Sequence, residues 1–184
     1  MKLKLLALLI FVASIHLASA GTIDVRFVRL SGHVPPPPVI LHLVDEGAIL
    51  TCSSFSIPVD AGSHFSYSNV RPLKYPTGYN SDGDVDASEY RSTGITFSGM
   101  AAISGTTVSL DSTFHWMDLR GTEIFQNPGG PPIAAPIFAF KDVHTRARLL
   151  ANAWTVLPIA DDRAHNDNTD NGPSHLVLLV RIRD

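Results

Sequence analysis

The chain predicts a mainly β fold, α+β only through one short helix, arranged as antiparallel sheet, and three observations carry that prediction. Eight segments concentrate β-branched and aromatic residues between clusters of Gly, Pro, Asn and Asp. One stretch behind a proline run has helical spacing instead. After the first twenty residues no apolar run reaches the roughly 18 residues that a membrane-spanning helix needs.

The first twenty residues are set apart. MKLKLLALLIFVASIHLASA places Lys2 and Lys4 before an apolar run from Leu5 to Val12 and ends in Ala18-Ser19-Ala20, the layout of a secretory signal peptide over 1–20. Cleavage there leaves 164 residues, Gly21 to Asp184, with twelve basic against seventeen acidic side chains and a formal charge of −5. That length suits one domain with a core, over 21–184. An acidic balance excludes nucleic acid as the expected partner.

The strands follow in order. In TIDVRFVRL, Ile23, Val25 and Phe27 fall on one face and Asp24 and Arg26 on the other. VILHLVDEG follows the prolines Pro35 to Pro38 and offers Ile40, Leu41 and Val44 on a helical face, with Gly47 as a stop; a strand is the alternative there. Further strands are expected over 48–58, 64–73, 94–103, 107–117, 137–148, 153–159 and 175–183. Loops are expected over Gly78 to Glu89, Gln126 to Pro136 and Ala160 to Ser174, rich in Gly, Pro, Asn and Asp. No internal repeat is present.

Cys52 is the one cysteine, so no intramolecular disulfide can form, and its setting in AILTCSSFSI reads as a small buried hydrophobe. Local signatures of enzymes are missing: no Gly-x-Ser-x-Gly, no His-Glu-x-x-His, no phosphate-cradling glycine loop. His115 near Asp118 and His144 near Asp142 are pairs that folding could assemble, although nearby polar residues on a strand are ordinarily surface groups. The expectation is no enzyme, no catalytic residue and no cofactor.

The segment Asn69 to Tyr90 is the best metal candidate. Setting Asp82-Gly83 at positions 5 and 6 of a Ca²⁺ loop puts Asn80 at 3, Asp86 at 9 and Glu89 at 12. Position 1 is then Gly78, which has no ligand, and the flanks look like strands where that motif has helices. An acidic solvated loop is therefore the expected reading, with no metal. NDNTDNG reads as a polar turn.

The order of the strand motifs resembles the secretin domain of bacterial type II and type III secretion and type IV pilus systems. IDVRFVRLSG looks like its opening strand. LHLVDEG through YPTGY resembles the next block, with a short helix, a strand, the turn Asp60-Ala61-Gly62-Ser63 and another strand. STGITFSGMAAISGTTVSLD is similar to a hairpin begun by Thr93-Gly94. PIFAFKDVHTRARLL carries a basic-x-Val-x-Thr motif at Lys141, Val143 and Thr145, and HLVLLVRIRD resembles the closing strand.

The resemblance implies a secretin-like β-sheet domain, exported to the periplasm or outer membrane of a bacterium. It implies a structural or accessory component of protein secretion that works by β-mediated self-association or alongside a larger secretin, with possible outer-membrane association. Apolar side chains such as Val177, Leu179 and Ile182 would be contacts in that role, or else members of a core strand. The polar DDRAHNDNTDNGPS stands where secretins carry a Pro-x-Leu-Gly-Asp-Ile-Pro type motif, so a complete gated pore is not implied. Upstream periplasmic domains and a trailing amphipathic lip are not expected either. The alternative is a monomeric periplasmic β-sandwich that binds a ligand or Ca²⁺ and forms no pore.

Overall fold

The computed structural model describes residues 20–31, 33–49, 51–60, 62–80, 82–126, 132–162 and 174–183. The expected signal peptide, apart from Ala20, and most of the polar stretch 160–174 lie outside these residues. The chain is mainly antiparallel β with one short helix, in the order β1 (Ala20–Ser31), α1 (Pro37–Asp45), β2 (Thr51–Asp60), β3 (Ser63–Tyr79), β4 (Val85–Ser104), β5 (Thr107–Phe125), β6 (Ile133–Leu150), β7 (Thr155–Asp162) and β8 (Ser174–Arg183). All eight expected strands and the helix form. Four of the strands run well past their expected ends.

Two four-stranded sheets result, a first with order β2-β1-β8-β7 and a second with order β3-β4-β5-β6. Their facing sides share one core. Ile23, Val25 and Phe27 of β1 and Leu178, Val180 and Ile182 of β8 meet Phe65, Phe97, Phe114 and Trp116 of the second sheet. The aromatic rings interlock, with Phe55 stacked flat on Tyr67 at 3.7 Å and Phe27 tilted against Phe114 at 5.1 Å.

On the other side of the first sheet, α1 covers Val28, Leu30, Val177 and Leu179 with Ile40, which is fully buried. Pro37 sits in the first turn, where its missing N–H costs nothing, and Gly47 follows the helix at φ +71°. The helical reading of VILHLVDEG therefore holds over the strand. Arg26 ties the last residue of α1 to the sheet through Asp45 at 2.6 Å.

Next to that helix the same face carries a buried charge. Asp24 lies opposite Ser56 on β2 and Arg181 on β8. It is 7% exposed and accepts from Ser56 Oγ at 2.7 Å, Arg181 Nη2 at 2.9 Å and Arg183 Nη2 at 2.9 Å. Burial pushes its carboxyl up, but the hydrogen bonds from Arg183, Ser56 and Arg181 together outweigh it and hold it below the ordinary carboxylate range.

A lowered folded pKa means that this stabilisation is present above the unfolded value, near pH 4, and is lost as pH falls through the folded one. Asp24→Asn is expected to cost about 2 kcal/mol at neutral pH. That deficit should shrink toward zero in urea titrations run at progressively lower pH. A deficit that stays constant down to strongly acidic pH would show that charge at Asp24 is not what matters.

Every proline within a strand lies on a sheet edge. Pro58 is in β2, Pro72 and Pro76 are in β3, Pro136 is in β6 and Pro158 is in β7. A proline lacks the N–H that a central strand needs, and an edge strand tolerates it. This is also why β3 and β6 extend beyond the ends read from sequence: prolines that look like breakers are accommodated at the margins of the second sheet.

Candidate functional site

The second sheet divides. Its central pair, β4 and β5, is hydrogen-bonded only from Gly94 opposite Met117 to Ser104 opposite Thr107. Beyond that point β3 stays paired with β4 as far as Tyr79 opposite Val85, and β5 with β6 as far as Phe125 opposite Ile133. The sheet therefore forks into two long two-stranded ribbons. Its strands run to 20 residues in β4, on the order of 65 Å, whereas those of the first sheet have 8 to 12 residues. Few of the core side chains lie past the fork.

Gly94 marks the fork. Its φ is +128°, and a Cβ there would stand 2.1 Å from the carbonyl oxygen of Asn69. Only glycine fits such a conformation with a neighbouring backbone so close.

The ribbons touch one another through Phe138, which receives the Tyr75 ring at 5.6 Å and the Arg91 guanidinium at 4.9 Å. Most of their apolar surface is uncovered. Val85, Tyr90, Leu119, Ile124, Phe125, Ile137 and Phe140 make up seven of the eleven exposed large hydrophobic residues described. An exposed apolar concentration of this kind marks an interaction surface.

The acidic segment is the tip of the β3–β4 ribbon. Only Asn80 to Asp84 lies outside strands, so the loop expected over 78–89 is a short turn with Val85 to Glu89 already in β4. Asn80 Oδ1 accepts from the backbone N–H groups of Asp82 at 3.0 Å and Asp84 at 2.8 Å, which closes the turn. Glu89 accepts from the Tyr75 hydroxyl at 2.9 Å, which raises the phenol's pKa, and Asp86 sits against Gly78. Asn80, Asp82, Asp86 and Glu89 are thus strung along a hairpin. Among the described residues no three His, Cys, Asp or Glu side chains stand close enough to hold a metal ion.

The histidines find partners other than those expected. His115 Nδ1 pairs with Asp142 across the β5–β6 ladder, and His144 Nε2 with Asp111 at 2.6 Å. Arg146 joins Asp111 at 2.8 Å, and the His144 and Arg146 hydrogen bonds lower the Asp111 pKa. Asp118 faces Arg29 at 4.0 Å instead of His115. The His115–Asp142 contact and the His144–Asp111–Arg146 group are polar contacts across the β5–β6 ladder at exposed positions.

One further expectation is corrected, and one choice between two readings is decided. Cys52 is exposed, not buried: the inward positions of β2 are Phe55, Ile57 and Val59, an alternation to which Cys52 does not belong, and a bulge leaves it out of the register between Ser53 opposite Phe27 and Thr51 opposite Val28. Val177, Leu179 and Ile182 are 2%, 0% and 1% exposed, so of the two readings given for them the core strand holds and the contact role does not. β8 lies between β1 and β7, and α1 roofs its outer face.

Cys52 opens into a cleft of about 350 Å³ at the fork, between the two sheets. Its lining includes Phe27, Ile95 and Trp116, with Arg29 from β1 and Arg71 from β3. The sequence gives no sign of this cleft, since its residues come from five separate strands.

No protein-family model matches the chain, and no curated protein sequence matches it. Among solved structures it is similar to the InvG secretin of the Salmonella SPI-1 type III secretion injectisome, at TM-score 0.45 and 10% identity, over 89% of this chain and 62% of that one. The same figures for InvG in the Salmonella SPI-1 basal body with PrgH and PrgK are 0.45, 10%, 89% and 44%. For the InvG secretin-domain β-barrel from the Salmonella SPI-1 injectisome they are 0.41, 11%, 89% and 61%. The chain thus spans less than two thirds of each of these proteins.

Proposed function

We infer that this chain is an exported cell-envelope protein that serves protein secretion as a structural or accessory component, self-associating through the edges of its second sheet. The carrying observation is the forked sheet itself: long open edges and a ribbon surface on which apolar side chains stand exposed. Unpaired N–H and C=O groups along such an edge template pairing with another strand. The motif order that resembles secretins supports the same role, as does the signal-peptide layout of residues 1–20.

The edges are not equivalent. Those of the first sheet, β2 and β7, carry Pro58 and Pro158. The longest proline-free edge of the second sheet runs from Ile137 to Leu150 on β6, and β3 offers Ser63 to Arg71. Because β6 runs antiparallel to β3 within the sheet order β3-β4-β5-β6, docking β6 on β3 of a second copy continues the antiparallel sheet. Such a head-to-tail contact closes into a ring when its rotation closes. Periplasm or outer membrane is the place of action, with a larger secretin as the candidate partner.

Size-exclusion chromatography with light scattering, with and without mild detergent and with and without Ca²⁺, tests this reading. A particle many times the 19.9 kDa chain mass in detergent is expected, unaffected by Ca²⁺. A monomer under every condition would favour the binding-module alternative.

A further inference from the structure

We propose that the cleft at the fork of the second sheet binds a phosphate group. The inference does not rest on self-association, since every group that forms the cleft belongs to one copy. Phe27, Ile95 and Trp116 close its base but are 0%, 7% and 5% exposed, so they offer a ligand almost no surface. What a ligand meets is polar. Ser53 comes from β2, Asn69 and Arg71 from β3, and Arg29 from β1.

The charge of this lining is opposite to that of the chain. The whole sequence has a formal charge of −3, yet the lining sets Arg29 and Arg71 against one acid, Asp118. Arg120 brings a third guanidinium close by, over the Trp116 ring at 5.1 Å. Arg29 lies over the same ring at 5.7 Å and stands 4.0 Å from Asp118. Arg71 is exposed and has no ion pair or side-chain hydrogen bond among the described residues, and neither have the side chains of Ser53 and Asn69. The cleft therefore holds a cation and two neutral polar groups that the fold itself does not use.

This donor set selects the ligand class. A carboxylate is planar, and one guanidinium fork saturates it with two parallel N–H···O bonds. A phosphate carries roughly two negative charges at neutral pH and three acceptor oxygens, so it uses the Arg71 fork, the Arg29 charge from the opposite sheet and the neutral donors Ser53 and Asn69 together. About 350 Å³ is at the small end of ligand pockets, which suits a phosphate on a short polar alcohol. A nucleobase finds no open aromatic face to stack on, because Trp116 is covered.

Cys52 makes the test direct, because it lines the cleft and is the only thiol in the chain. Burial pushes that thiol up and the Arg29 charge pulls it part of the way back, so an anion that neutralises Arg29 slows its alkylation. Glycerol 3-phosphate, inorganic phosphate and acetate are titrated against the full protein, reading calorimetric binding and the rate of Cys52 alkylation by iodoacetamide. Both phosphates are expected to bind and to slow alkylation, with acetate at least about tenfold weaker. Arg71→Ala should weaken both phosphates about tenfold with an unchanged unfolding midpoint, Arg71→Lys should fall between, and Arg148→Ala, on β6 outside the cleft, should change nothing. Phosphatidic-acid vesicles separate the sources: capture that Arg71→Ala abolishes puts the phosphate on a lipid headgroup, and its absence puts it on a soluble molecule. No binding of either soluble phosphate, equal binding of acetate, or an unchanged affinity in Arg71→Ala would overturn the proposal.

Discussion

Truncating Phe97 to alanine is expected to lower the unfolding free energy by about 4 kcal/mol, the largest loss for any single core side chain. Phe97 is fully buried on β4, a central strand of the second sheet. Its ring meets Phe65 at 5.2 Å and Phe114 at 6.5 Å on its own sheet and reaches across to Phe55 at 6.3 Å on the first. Removing it opens a cavity between sheets whose backbones are fixed by their ladders and cannot close over the gap. Denaturant unfolding of the variant beside Phe140→Ala checks this. Phe140 is 63% exposed on a ribbon, and its loss should leave stability almost unchanged. A similar cost for both variants would mean that the ribbons, not the sandwich, hold the fold.

The second large effect is expected at the fork. Gly94→Ala places a Cβ 2.1 Å from the Asn69 carbonyl oxygen and 3.0 Å from Val70 Cα, both backbone atoms of β3, at a φ of +128° that L side chains rarely adopt. Neither obstacle is a flexible side chain, so β3 must shift or β4 must change its path. The cost is on the order of 3 kcal/mol, and because Gly94 is where β4 parts from β5, the ribbons would be misdirected as well. Gly121→Ala is the control, since nothing lies within 4 Å of a Cβ there. Unfolding midpoints should separate the two variants clearly, and equal midpoints would contradict the role given to Gly94.

How much of this was legible in the sequence depends on the kind of contact. Alternation in TIDVRFVRL located β1, whereas β8 was located by the concentration of strand-forming residues in HLVLLVRIR, which is unbroken because both faces of that strand are buried. Helical spacing behind Pro37 likewise located α1. Strand ends at the ribbons were hidden, since Pro72, Pro76 and Pro136 carry the same signal whether they break a strand or sit on its edge.

The cross-strand pairs were hidden more deeply. His115 and Asp142 are 27 residues apart, and only the β5–β6 register brings them opposite each other. The burial of Val177 and Leu179 depends on where α1 docks, which local pattern does not specify.

Amide hydrogen exchange on the assembled particle tests self-association through the second sheet most directly. β6 is an edge strand among the described residues, so in a monomer its amides that point away from β5 are expected to exchange fast while their neighbours bonded to β5 are protected. In the particle, slow exchange is expected at both sets between Ile137 and Leu150, with a matching gain on β3 between Ser63 and Arg71. Fast exchange at the outward amides of both strands, in a particle of any size, would contradict edge-to-edge assembly.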